Sequence, residues 1–255
     1  MSLVDTHCHI HSKDYPIDIA EVYTSAKKVE VDKLICVGTD LDDSKLAIEF
    51  AANHNDTWAS IGIHPHEANK YVGKQDLLDE FASLATSSKV VAVGECGLDY
   101  FYNHSDKQSQ KQLLKFQIEL ALKHNLPLIF HVRNAFEDFW PILQNYPDVR
   151  GVIHSFTDSS ENLNVALNKK LIIGVNGIST FTKNSDQIKM YKDIPLESLV
   201  LETDAPYLTP APFRGMICEP KYIKVIADFL VNLRGESSEE LVKQTSKNVN
   251  LLFGV

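Results

Sequence analysis

Short continuous apolar runs alternate along the chain with longer stretches in which apolar residues recur at helical spacing. The short runs are SLVDTH (2–7), DKLICVG (32–38), WASIGIH (58–64), KVVAVGE (89–95), LPLIFHV (126–132), GVIHSF (151–156), KLIIGV (170–175) and SLVLETD (198–204). They are mostly unbroken and not alternating, which is how strands buried on both faces of a parallel sheet read.

Between the runs lie helical patterns. The clearest is SDKQSQKQLLKFQIELALKHN (105–125), where Leu113, Phe116 and Leu120 keep helical spacing and Leu114, Ile118 and Ala121 widen the stripe. Ser105 is expected to cap it, with Asn125 and Pro127 ending it. DDSKLAIEFAANHN (42–55) and AFEDFWPILQNY (135–146) are similar, although Pro141 should kink or shorten the second. Near the C-terminus KYIKVIADFLVNLRG (221–235) stops at Gly235, and SSEELVKQTSKNVNLLF (237–253) starts with Ser237 or Ser238 as cap and Glu239 or Glu240 in its first turn. Eight strand candidates, most followed by a helix, predict an α/β chain folded as a single-domain (β/α)8 TIM barrel over residues 1–255. An open doubly wound sheet has the same periodicity and is the competing architecture. No repeat, linker or low-complexity segment divides the chain.

Composition narrows the class. A chain of 255 residues with 44% hydrophobic and 23% charged residues is ordinary for a globular protein. A formal net charge of -9 argues against coating nucleic acid through a broad basic face, but not against gripping one or two phosphates locally. Cys8, Cys36, Cys96 and Cys218 form no CxxC pair, so reduced thiols in a cytoplasmic protein are expected. No signal peptide or membrane span is predicted.

In a barrel the chemistry is built at the C-terminal ends of the strands. The first run ends at His7, with His9 just beyond. The third ends at His64, the fourth at Glu95 and the eighth at Asp204; His131 and His154 lie near the ends of the fifth and sixth. Four histidines, His7, His9, His131 and His154, with Glu95 and Asp204, exceed the three or four protein ligands of one catalytic zinc and point to two ions, with Glu95 as a bridge. Two metals roughly 3.5–4 Å apart suit in-line displacement at a phosphoester or hydrolysis of an activated carbonyl. Asp204 can take the proton of the attacking water. Arg133, two residues after His131, and Arg214, in the loop after the eighth run, are candidates for gripping phosphate, with His64 beside them. Cys8 and Cys96 should face away from the ligands and pack. Tyr100, Phe101 and Tyr102 either stack on a base or close the barrel mouth.

The motifs DTHCHI, GIHPH, GECGLDYF, PLIFHVRNAFED, VIHSF, LVLETDAPYL and PFRG run nearly end to end, and with them the chain resembles the TatD-like metal-dependent deoxyribonucleases, relatives of the amidohydrolase barrels. The resemblance implies one metal on His7, His9, Glu95 and Asp204, a second on Glu95, His131 and His154, catalysis by Asp204, and contact of His64 with the scissile phosphate. It implies Mg²⁺ or Mn²⁺ as working ions, with Zn²⁺ also accepted. His11 stands where that family usually has Asp or Asn, and Cys218 where it usually has Asn.

The function expected from the sequence is therefore phosphodiester hydrolysis on DNA with 3′-5′ exonuclease polarity, on single-stranded ends, by a protein favoured to be a monomer. The alternative is a small-molecule ester or amide hydrolase of the amidohydrolase type. A non-catalytic metal-binding protein is a third reading, which a general base at Asp204 disfavours. Amidohydrolase relatives often carry a carboxylated lysine on the fourth strand, and Glu95 in its place favours the nuclease.

Overall fold

The computed structural model describes residues 2–102 and 104–255. Each apolar run overlaps a strand: β1 (Leu3–Cys8), β2 (Val31–Val37), β3 (Thr57–Ile61), β4 (Val90–Asp99), β5 (Leu128–Arg133), β6 (Gly151–Ile153), β7 (Ile172–Val175) and β8 (Leu199–Leu201). Their order in the sheet is their order in the chain. The pairings are parallel, as in Gly97 with His131 and Val175 with Leu201, and a parallel bridge from Cys8 to Ala205 ties the end of β1 to the chain just past β8. This is the strand order of a (β/α)8 barrel, as expected from the sequence.

The helices are α1 (Ile19–Lys27), α2 (Leu41–Ala52), α3 (Ala68–Tyr71), α4 (Gln75–Ser83), α5 (Lys107–His124), α6 (Phe136–Gln144), α7 (Ser160–Asn168), α8 (Ser185–Asp193), α9 (Ile223–Arg234) and α10 (Ser238–Phe253). Among the described residues, no helix is long and apolar enough to cross a membrane. The chain divides into two compact units, one running to Cys36 and resuming over Ser155–Val255, the other spanning Val37–His154.

In the first unit, Leu34, Ile35, Ile173, Leu199 and Val200 are buried, as are Val22, Ile223, Ile226, Leu230 and Leu241 on the helices. In the second, Ile61, Val93, Leu98 and Phe130 are buried, with Leu114, Ile118 and Phe139 on the helices. Phe130 meets Phe139 edge to face at 5.1 Å, and burying each such ring removes apolar area worth about 1.5–3 kcal/mol. Cys8 and Cys96 are both fully buried.

Some boundaries differ from the sequence expectation. Asp106, not Ser105, caps α5, accepting from the Ser109 amide at 2.9 Å. Ser105 is drawn elsewhere, because its hydroxyl donates to the His66 carbonyl and accepts from the Asn69 amide. Pro141 leaves α6 helical for three more residues, although the helix has only nine. Ser237 caps α10, and Gly235 ends α9 in the left-handed conformation, as expected.

Strand β4 runs four residues past Glu95, so Glu95 lies inside a strand and not at its end. The glycines of GECG look like breakers in the sequence. Here Gly97 has φ +152 and lets its strand approach β5 so closely that a Cβ would sit 1.8 Å from the His131 carbonyl oxygen. In contrast β3 and β8 stop early, leaving His64 and Asp204 each three residues beyond their strands.

Candidate metal centre

In the second unit three imidazoles surround one carboxylate oxygen. Glu95 Oε1 lies 2.7 Å from His131 Nδ1, 3.2 Å from His154 Nε2 and 3.7 Å from His64 Nε2. Ligand atoms of His64, Glu95 and His131 all fall within 4.8 Å of one another, close enough to hold one metal ion. Burial pushes the Glu95 carboxyl up, but His154, His64 and the hydrogen bonds from His131 and His154 outweigh it and hold the group well below the usual carboxylate range. An ionised carboxylate among imidazoles is a donor set that suits a divalent cation.

The supports of this cluster come from α5. Gln117 is fully buried and clamps Ile63, accepting from its amide at 2.8 Å and donating to its carbonyl at 2.9 Å, which fixes the chain one residue before His64. Seven residues earlier on the same helix face, Gln110 accepts from the Asp99 amide at 2.8 Å and donates to the Asp99 carbonyl at 3.1 Å. Asp99 Oδ2 in turn accepts from His66 Nε2 at 3.0 Å and His131 Nε2 at 3.1 Å. His64 Nδ1 accepts from the His66 amide at 3.2 Å, so the proton of the neutral ring sits on Nε2. Burial and the neighbouring His131 push His64 down to about 3, so it is neutral at physiological pH.

In the first unit the end of β1 and the segment after β8 form a second cluster. His7 Nε2 and His9 Nε2 lie 3.2 Å apart, and Asp204 Oδ1 lies 3.5 Å from the first and 3.4 Å from the second. Two imidazole nitrogens and a carboxylate oxygen that converge so closely also fit a cation. The backbone holds them in place, because the Asp204 amide donates to the His7 carbonyl at 2.8 Å and the His9 amide to Ala205 at 2.7 Å. Asp204 itself has φ +64, a left-handed turn that swings its carboxylate back toward the histidines.

Beneath that turn Asp5, fully buried, accepts from the Thr203 hydroxyl at 2.5 Å, the Thr203 amide at 2.9 Å and the His7 amide at 3.3 Å. Burial pushes its carboxyl up to about 8, against the lowering effect of the Thr203 bonds. Glu202, also buried, accepts from the Ser155 amide at 2.5 Å.

Of the other candidates, Arg133 is exposed, with its guanidinium 3.9 Å from the Phe101 ring centroid. Arg214 lies 3.9 Å over Phe181 and donates to the Thr209 carbonyl at 2.9 Å, so it also braces the loop after β8. His11 is buried, its ring 6.2 Å from His9. Cys218 is buried, and its carbonyl accepts from the Tyr15 hydroxyl at 3.0 Å. Sequence reasoning missed Asp5, Asp99, Gln110 and Gln117. For Asp99 a signal existed: it lies four residues after Glu95, at the same strand parity. The two glutamines gave none beyond being polar positions in an apolar stripe.

The family model for TatD-related DNases matches residues 4–254. The chain is 36% identical over 255 residues to the uncharacterized metal-dependent hydrolase YabD of Bacillus subtilis, covering 99% of each chain. It is 33% identical over 261 residues to the 3′-5′ ssDNA/RNA exonuclease TatD of Pantoea ananatis, covering 99% of this chain and 100% of the other. The crystal structure of the TatD homologue YjjV of Escherichia coli superposes with a TM-score of 0.92 at 29% identity, over 99% of this chain and 98% of that one.

Proposed function

Since the chain belongs to the family of TatD-related DNases, metal-dependent hydrolases that act on ester bonds, we propose that it hydrolyses phosphodiesters at the 3′ ends of single-stranded DNA. The observation that carries this reading is the convergence of His64 and His131 on Glu95, within 4.8 Å, with no lysine in the bridging position. The 3′-5′ polarity is taken from the relative in Pantoea ananatis, whose name states it.

In this reading the whole chain, residues 1–255, acts as one barrel domain. The proposed metal ligands are His7, His9 and Asp204 in the first unit, and Glu95, His131 and His154 in the second. The proposal takes two divalent ions, Mg²⁺ or Mn²⁺ in function, with Zn²⁺ accepted by the same donors. Bound there, such ions supply positive charge to the phosphate oxygens and make water more acidic. Asp204 accepts the proton of the attacking water. His64, neutral with its proton on Nε2, donates a hydrogen bond to a phosphate oxygen. Arg133 and Arg214 hold flanking phosphates, which local rather than broad positive charge makes possible in a chain of net charge -9.

The test is digestion of single-stranded DNA labelled at either end, with Mg²⁺ or Mn²⁺ added, by the wild type and by Asp204→Ala. Loss of 3′ nucleotides one at a time by the wild type, abolished in the variant, is expected. Equal inactivity of both on DNA, with cleavage of small esters by the wild type, would transfer the function to the amidohydrolase type.

A further inference from the structure

The loop that leaves β4 displays two large aromatic rings, Phe101 at 53% exposure and Tyr102 at 44%. The amides of Phe101 and Tyr102 both donate to Asp99 Oδ1, at 2.9 and 3.1 Å, and Asp99 is itself 1% exposed. The two rings meet edge to face at 4.8 Å. Arg133 brings its guanidinium 3.9 Å from the Phe101 centroid and 5.0 Å from the Tyr102 centroid. The register pairs Asp99 with Arg133 across β4 and β5, so rings and cation leave the sheet side by side. The carboxylate that anchors the rings also holds His131 through its other oxygen, at 3.1 Å. The rings and His131 thus share one support, Asp99, and Arg133 packs against the rings.

A pair of half-exposed rings with a guanidinium packed against them fits a ligand that has both a π face and a negative charge. A nucleotide has both. The geometry points to Phe101, Tyr102 and Arg133 as a subsite for one unpaired nucleotide of single-stranded DNA, its base stacked on the rings and its phosphate paired with Arg133. This rests on the nuclease reading above. A base at a paired end is held to its partner and stacked on one face, whereas an unpaired base can swing onto the rings at no pairing cost, so this subsite selects single-stranded ends over paired ones. Stacking tolerates any base, so it adds affinity without sequence preference.

The test is binding in the presence of EDTA, which reads the subsite without turnover. The probes are fluorescein-labelled hexathymidylate and a hexamer of the same length with abasic sites. The wild type should bind hexathymidylate about tenfold more tightly than the abasic hexamer. Phe101→Ala/Tyr102→Ala should lose that preference, and Phe101→Trp, which keeps a π face, should retain it. Both positions are exposed, and circular dichroism checks that the variants fold. Equal binding of the two hexamers by the wild type, or an undiminished preference in the double alanine variant, overturns the subsite. If the preference is present but no oligonucleotide is cleaved when metal is added, the nuclease reading falls and the subsite stands.

Discussion

His131 donates from Nε2 to Asp99 Oδ2 at 3.1 Å while its Nδ1 lies 2.7 Å from Glu95. Because Asp99 holds the proton on Nε2, Nδ1 is the nitrogen that must give up its proton to Glu95 or solvent and turn its lone pair to a cation. Such carboxylate–histidine pairs orient a ligand and raise its basicity. Asp99→Asn should therefore weaken metal binding about 10- to 100-fold with every proposed ligand still present. Titration of the metal-free protein by calorimetry checks this; affinity equal to wild type would show that Asp99 only supports the aromatic loop.

The brace between Asp5 and Thr203 should matter to stability and to Asp204 together. Thr203→Val removes a hydroxyl donor from a buried carboxyl and should cost about 1–3 kcal/mol in urea unfolding. Thr203→Ser keeps the donor and should recover most of that loss. Turnover should fall in the valine variant and recover in the serine variant, because Asp204 is the next residue.

Gly62 faces the peptide that carries Glu95. A Cβ there would lie 2.1 Å from the Glu95 amide nitrogen and 2.2 Å from the Gly94 carbonyl carbon, and both are backbone atoms that cannot swing aside. Gly62→Ala should cost about 1–3 kcal/mol through overpacking. It should also lower metal affinity, because Glu95 must shift. Thermal melting with and without Mn²⁺ reads both effects: the melting temperature should drop, and the gain on adding metal should shrink.

At alkaline pH the buried phenols should limit stability. Burial, helped by Glu219, pushes the Tyr15 hydroxyl well above the ordinary tyrosine range, and burial with Glu202 does the same to Tyr191. Both groups keep their protons when folded and lose them near pH 10 when unfolded. The stability they contribute is therefore full below about pH 10 and falls above it, by about 1.4 kcal/mol per pH unit for each phenol. Absorbance at 295 nm should show some tyrosines ionising only as the circular dichroism is lost. In Tyr191→Phe the alkaline loss should be shallower by one proton.

Much of the fold was legible because it depends on local pattern. Each of the eight apolar runs overlaps a strand, since strands of a parallel sheet are buried on both faces and cannot alternate. Metal-type residues also recur near the strand ends, so His7, His9, Glu95, His131, His154 and Asp204 stand out as candidate ligands from the sequence. Errors came where a residue had a competing partner. Ser105 reads as a cap until the His66 carbonyl and the Asn69 amide claim it. Glu95 reads as a strand end until the glycines beside it prove to be points of close approach.

By itself the sequence determined the strand and helix order and the stock of candidate ligands. These follow from hydrophobic periodicity and residue chemistry, which are properties of neighbours in the chain. Tertiary structure alone decided which atoms meet. It set the left-handed turn that aims Asp204 at His7 and His9, the glutamines of α5 that clamp the backbone at Ile63 and Asp99, and the double duty of Asp99 toward His131 and the aromatic loop. Those contacts join residues far apart in sequence, such as Thr203 with Asp5, and depend on distances that no local periodicity encodes.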